Sequence, residues 1–331
     1  MPCFAGVTIV HMLPALGPII SLVVIFRSFS AASGIFDHHK YDECMSDSAD
    51  PHNNYKPYQS TSDGVACSLL EFEMGSLLGK GNYATVYHAT RKATGQEVAI
   101  KQVKGSGSYS TVQKEVCALV ALSHPAVPKL YCVILEENTT YLVMEFISGT
   151  DLLKKTTKIP AEHKYKCIRQ VLVEIGGLVN FLHEQKLIFG DLKPENIMVS
   201  DHGSLYLIDY GFASKAHVAE APLCTLAFAS PELATLCYSA PRVKVPWDTR
   251  FASDWYALGV MVYELSQCKP LISPGNRTVV QRTLRVGFAS DHFSGMQPYT
   301  QLLAGLLHRS SDSRWSWVEV QRWLETNPES T

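Results

Sequence analysis

No Cys-x-x-Cys pair occurs in the 331 residues, although the chain holds nine cysteines, at 3, 44, 67, 117, 132, 167, 224, 237 and 268. Without ligands paired at short spacing, there is no signature of a structural zinc site. The odd number and wide scatter supply no disulfide framework either, so the expectation is buried or idle thiols in a reducing compartment. A basic excess is missing too: 29 Lys and Arg stand against 31 Asp and Glu, a formal net charge of −2. Nucleic acid is thereby excluded as the main partner, because binding it requires cations that displace condensed counterions. No internal repeat is present. What remains is 46% apolar and 18% charged residues, ordinary for a globular chain long enough to bury a sizeable core.

Charge is absent altogether from Phe4 to Phe26, and Ile19–Phe26 is densely apolar. The run is about long enough to cross a bilayer as a helix. Arg27 follows it and no charged side chain precedes it, which would leave the rest of the chain on the cytosolic side. Pro14, Gly17 and Pro18 interrupt the run. Ser30-Ala-Ala32 offers a cleavage site, without a positive n-region ahead of it. Residues 1–27 therefore read as an apolar segment with three competing roles: a single-pass membrane anchor through residues 4–26, a cleaved signal, or an unanchored extension. Residues 28–71 are rich in polar and turn-forming types with no sustained period, and read as a disordered linker. Asn138-Thr-Thr140 and Asn276-Arg-Thr278 fit the glycosylation pattern, and read as chance matches.

From Phe72 the pattern changes, and a folded domain is expected over 72–327. Apolar residues alternate through Thr85–Ala89 and Glu97–Val103 around turn chemistry at Lys92–Gln96, which predicts a hairpin. A helix is expected over Val112–Ser123, strands over Tyr131–Leu135 and Thr140–Phe146, and long helices over Tyr165–Glu184 and Ala252–Gln267. A strand-rich first part and a helix-rich second part predict an α+β, two-lobed arrangement.

The chemistry concentrates in Phe189-Gly-Asp-Leu-Lys-Pro-Glu-Asn-Ile-Met198 and Leu207-Ile-Asp-Tyr-Gly211. Asp191, Lys193 and Asn196 share one short loop, and a second carboxylate, Asp209, follows. Two oxygen ligands can hold Mg²⁺, a carboxylate can orient a hydroxyl, and an ammonium can neutralise a moving phosphoryl group. These segments resemble the catalytic and metal-binding loops of the protein kinases. With them come a run resembling the glycine-rich loop (Leu78, Gly79, Lys80, Gly81, Asn82, Tyr83, Ala84, Thr85 and Val86) and Val98-Ala99-Ile100-Lys101. The resemblance covers roughly residues 74 to 325, with the motifs in the family's order.

The resemblance implies an ATP- and Mg²⁺-dependent serine/threonine kinase acting on a protein hydroxyl, in the cytoplasm or facing the cytosol. Asp191 would orient the acceptor hydroxyl and take its proton. Lys193 would stabilise charge on the γ-phosphoryl group, and Asn196 and Asp209 would hold the metal. Lys101 would reach the α- and β-phosphates, with Glu115, on a helix resembling the family's αC helix, as its partner. Ala99 would help bind the nucleotide, and the backbones of Glu145 and Ile147 would meet the adenine edge beside Met144. Asp254 would bind the backbone of the catalytic loop, and Arg314 would pair with Glu232.

The chain also departs from the family. It reads Phe189-Gly190-Asp191 for His-Arg-Asp, with Ala84 at the third glycine position and Ser230 in Ser-Pro-Glu. Phe189, Tyr210, Leu119 and Leu130 could fill the apolar column that the histidine usually joins. Gly190 removes the cation that would bind a phosphorylated activation loop, so activity is expected without such phosphorylation. The stretch between Glu232 and Asp254 carries Arg242, Lys244 and Arg250, and reads as a solvated loop or a contact for acidic substrates. Two other readings stay open: a pseudokinase scaffold, and a small-molecule kinase of the aminoglycoside-phosphotransferase type.

Overall fold

The computed structural model describes residues 34–46, 67–81, 84–105, 109–136, 139–157, 159–215, 225–234, 247–272, 288 and 292–328. The apolar run of residues 4–26, both glycosylation patterns at their asparagines, Asn82, Tyr83, Arg242, Lys244, Cys3, Cys224 and Cys237 lie outside them. Among the described residues no helix is long and apolar enough to cross a membrane.

The chain opens with strand β1 (Ile35–Phe36) and helix α1 (His38–Ser46). A five-stranded sheet follows from β2 (Phe72–Lys80), β3 (Ala84–Arg91) and β4 (Glu97–Lys104). Helix α2 (Tyr109–Ala121) and short β5 (Leu122–Ser123) lead on to β6 (Leu130–Glu136) and β7 (Thr139–Glu145). The sheet is antiparallel, in the order β2-β3-β4-β7-β6. Its buried cluster is Phe72, Ala89, Val98, Ile100, Cys132, Ile134 and Val143. Alternate residues of β4, Val98 and Ile100, supply two of these, as period-2 patterning requires, and each buried Val or Ile contributes about 1.5–3 kcal/mol.

The helical lobe begins after β8 (Gly149–Asp151) and α3 (Leu152–Thr156). Helix α4 (Ala161–Glu184) buries Ile168, Val171, Leu172, Ile175, Leu178, Val179 and Leu182, a stripe at helical spacing. It packs against α5 (Trp247–Gln267) and α7 (Trp317–Thr326), and α6 (Thr300–Leu306) lies against α5. Between α4 and α5 run β9 (Leu187–Ile188), β10 (Ile197–Ser200), β11 (Leu205–Leu207) and β12 (Ser214–Lys215). They form small antiparallel pairs, β10 with β8 and β11, and β9 with β12, and these position the loop around Asp191.

Three expectations need correction. Residues 34–46 are not part of a disordered linker: Phe36 and Tyr41 are buried, β1 pairs with β5, and α1 packs on α2. Their ordering comes from partners far along the chain, which local composition does not register. The expectation of idle thiols fails for four cysteines, because Cys44 is bonded to Cys117 and Cys67 to Cys132. Sequence separations of 73 and 65 residues leave no local signal of these pairings. Cys167 and Cys268 are free. Finally, Arg250 is neither in a solvated loop nor at the surface. It sits on α5, buried, and donates to Ser214 Oγ at 2.7 Å.

Candidate active site

Lys101 points inward from the middle of β4, where it pairs across to Val86 on one side and Leu142 on the other. An ammonium buried there needs compensation. It receives two carboxylates. Nζ donates to both oxygens of Glu115 on α2 at 2.7 Å, and to Asp209 Oδ1 at 3.0 Å. Burial alone would lower the Lys101 pKa, but the charges of Glu115 and Asp209 outweigh it and raise it, so the side chain stays cationic. Glu115 is pushed upward by burial, partly offset by Lys101. Asp209 has an exposed face; burial works against its ionised form, but Lys101 prevails and holds the carboxyl below its ordinary range.

Asp209 adopts φ 66° and ψ 75°, a left-handed conformation that aspartate tolerates, and its carboxylate accepts from Gly211 N–H. Tyr210 next to it is fully buried, with its ring edge-on to Phe189 at 5.2 Å between centroids. Leu119 and Leu130 are buried too, and α2 packs against the turn at Tyr210–Phe212.

The second cluster centres on Asp191, which is buried. Its Oδ2 accepts from Lys193 Nζ and, at 3.0 Å, from Asn196 Nδ2. Nδ2 also donates to the Asp191 carbonyl at 2.9 Å, so Oδ1 is the Asn196 atom suited to a cation. Asp191 Oδ1 accepts the hydroxyl of Thr225, and that hydroxyl accepts from Lys193 at 3.1 Å. A hydroxyl is thus held between a carboxylate and an ammonium.

The loop is anchored from below. Asp254 on α5 accepts Phe189 N–H at 3.0 Å and Gly190 N–H at 2.9 Å, and contacts His183 Nε2 at 2.8 Å. Arg314 bonds both oxygens of Glu232 and the carbonyls of Ala252, His308 and Arg309, an arrangement that ties the end of this segment to the lobe. Gly190 has φ +83°, and a Cβ there would sit 2.9 Å from the Phe212 carbonyl oxygen.

The sheet side is more open. Gly79 pairs with Val86 and Lys80 with Thr85, and Gly81 N–H donates to the Ala84 carbonyl at 2.8 Å. Among the described residues, its chain neighbours aside, nothing lies within 4 Å of where a Cβ on Gly79 would stand. Leu78 is exposed. Ala99 lies opposite Met144 in the ladder. Glu145 N–H is committed to the Lys129 carbonyl at 2.9 Å, so a contact from its backbone to a ligand would have to come from the carbonyl. Ile147 lies between β7 and β8, in no regular element.

The structure therefore brings Lys101, Glu115 and Asp209 together, and separately Asp191, Lys193, Asn196 and Thr225. Two contributors were missed from the sequence. His183 is a polar group on the buried side of α4, and its position against an apolar stripe was the available signal. Lys215, buried six residues after Asp209, had none.

A family profile described as "Protein kinase domain" matches residues 72–324. A protein of Oryza sativa subsp. japonica named as CBL-interacting protein kinase 13 is 35% identical over 155 residues, covering 45% of this chain and 30% of its own length. Citron rho-interacting kinase of Rattus norvegicus is 30% identical over 217 residues, covering 63% of this chain and 10% of its own length. The chain thus spans less than a third of the curated relatives it matches.

Proposed function

Since the chain belongs to the protein kinase family, we propose that it transfers the γ-phosphoryl group of ATP to serine or threonine hydroxyls of proteins, without requiring phosphorylation of its own activation segment. The observation that carries this reading is the double capture of Lys101 by Glu115 and Asp209. It aligns the cation meant for phosphates with the carboxylate meant for metal. The donor set fits both ligands. Asn196 Oδ1 and the partly exposed Asp209 are hard oxygen donors, and the open backbone at Gly79 can approach phosphates. Mg²⁺ held by Asn196 and Asp209 would offset charge on the phosphate oxygens.

The chain's own groups account for the rest. Lys101 orients the phosphates. Asp191 accepts the proton of the incoming hydroxyl, with Lys193 beside it to balance charge on the transferred group. The Thr225 hydroxyl, bonded to both, supports this reading, because it stands between carboxylate and ammonium as an acceptor hydroxyl would.

Independence from phosphorylation is supported by where the hydroxyls are. Between Asp209 and Glu232, Tyr210, Ser214 and Ser230 are buried, and Thr225 is bonded to Asp191. The remaining residues 216–224 contain no Ser, Thr or Tyr.

The test is transfer of labelled phosphate from ATP to a serine/threonine peptide library by the full chain, before and after phosphatase treatment. Equal rates are expected in both, with loss of at least about a thousandfold in Asp191→Asn. Absence of turnover in the unmodified chain, with ATP still bound, would leave a nucleotide-binding scaffold instead.

A further inference from the structure

Lys101 and Glu115 come from different elements, so something must hold α2 against the sheet. Residues 34–46 grip α2 from the chain's leading side. Strand β1 pairs with β5, directly after α2, in the register Ile35↔Ser123 and Phe36↔Leu122. Asp37 N–H donates to the Ala121 carbonyl at 2.8 Å. Gln113 Nε2 donates to the Cys44 carbonyl at 3.0 Å, and Cys44 is bonded to Cys117, two residues beyond Glu115.

The same helix reaches the segment that follows Asp209. Lys215 is buried, forms an ion pair with Asp42, and lies 5.1 Å from the Tyr41 ring centroid. Lys215 also pairs with Leu187 in the β9–β12 ladder, four residues before Asp191. Helix α1 therefore bridges the carrier of Glu115 and the strand fixed beside the Asp191 loop. It places a permanent carboxylate on the activation segment, where no hydroxyl is placed to carry a phosphate.

We infer that residues 34–46 are a built-in activating clasp, and that the Cys44–Cys117 bond makes its grip depend on thiol–disulfide balance. Tyr41, Asp42 and Cys44 are then positioning residues, acting through Glu115 and Lys215. The covalent step is an exchange with a small-molecule disulfide. The Cys44 and Cys117 thiols give two electrons to its S–S bond and form their own. The two protons they release end on the two departing thiols.

This inference rests on the kinase reading, and the experiment separates the two. The full chain is equilibrated in glutathione buffers from fully oxidised to fully reduced. Peptide phosphorylation is followed at varied ATP, and amide exchange is followed across α2. On reduction, kcat/KM is expected to fall about tenfold or more, a typical coupling energy, while α2 loses protection and the β3–β4 hairpin keeps it. Cys67→Ser, which removes only the other disulfide, should titrate like the unmodified chain. Cys44→Ser should be slow in every buffer, with α2 unprotected. Asp42→Asn should slow the oxidised enzyme, and Asp42→Glu should restore it. Rates and α2 exchange that ignore the glutathione ratio, or a Cys44→Ser variant as fast as the oxidised chain, would overturn the clasp and leave the kinase reading intact. A chain inactive in every buffer, whose α2 exchange still follows the ratio, would keep the clasp and overturn the kinase reading.

Discussion

Tyr210 shows how a single atom can work against the fold around it. Its hydroxyl is fully buried and, among the described residues, is one of two buried side-chain polar groups left without a hydrogen-bond partner. Burial raises its pKa far out of the working range, so the group stays neutral. A buried hydroxyl without a partner costs about 1–3 kcal/mol, and the ring keeps its packing on Phe189 if the oxygen is removed. Tyr210→Phe is therefore expected to raise stability by about 1 kcal/mol, read as a shift of the denaturant midpoint at constant slope. A lower midpoint would mean that the oxygen has a partner in solution. At this scale the sequence was most legible where charge had to be balanced. The resemblance gave Lys101 an acid as its partner, and Glu115, the only acid between Lys101 and Ser123, is the one that meets it. The burial of Arg250 and Lys215 was not legible, because nothing within a few residues of either reveals the groups that enclose it.

Helix α4 makes a contrast that belongs to elements rather than atoms. Its neighbouring glycines, Gly176 and Gly177, both face Trp317 of α7, but not equally. A Cβ on Gly176 would meet the Trp317 ring at 2.9 Å, and on Gly177 at 3.8 Å. Alanine favours helix over glycine by up to about 1 kcal/mol. Gly177→Ala should realise that gain, whereas Gly176→Ala should lose it by displacing the indole, a difference that paired thermal melts will show. Equal gains would mean that α7 shifts freely. Elements with their own periodicity were readable. The hairpin expected at 85–89 and 97–103 became β3 and β4, and the helix expected from Tyr165 became α4, one turn longer at its start. Strand β1 and helix α1 had no such period. They exist because β5 offers a backbone edge and α2 a cysteine, and both lie outside any local window.

For the molecule as a whole, the two-lobed α+β arrangement followed from the order of strands and helices, but the covalent ties did not. Each disulfide closes a long loop, and in the chain-entropy picture each adds about 4 kcal/mol by restricting the unfolded chain. They also bracket residues 47–66, since Cys44 is bonded to Cys117 and Cys67 to Cys132. A chain cut once inside that bracket is severed in sequence yet not in fact. With a site-specific protease sequence inserted there, cleavage should leave one band on non-reducing electrophoresis and two on reducing electrophoresis. Two bands without reductant would show that the leading piece is not fastened through Cys44. The peptide backbone ahead of the sheet is thus dispensable as a covalent tether: in a nicked molecule the one covalent link to its first residues is sulfur.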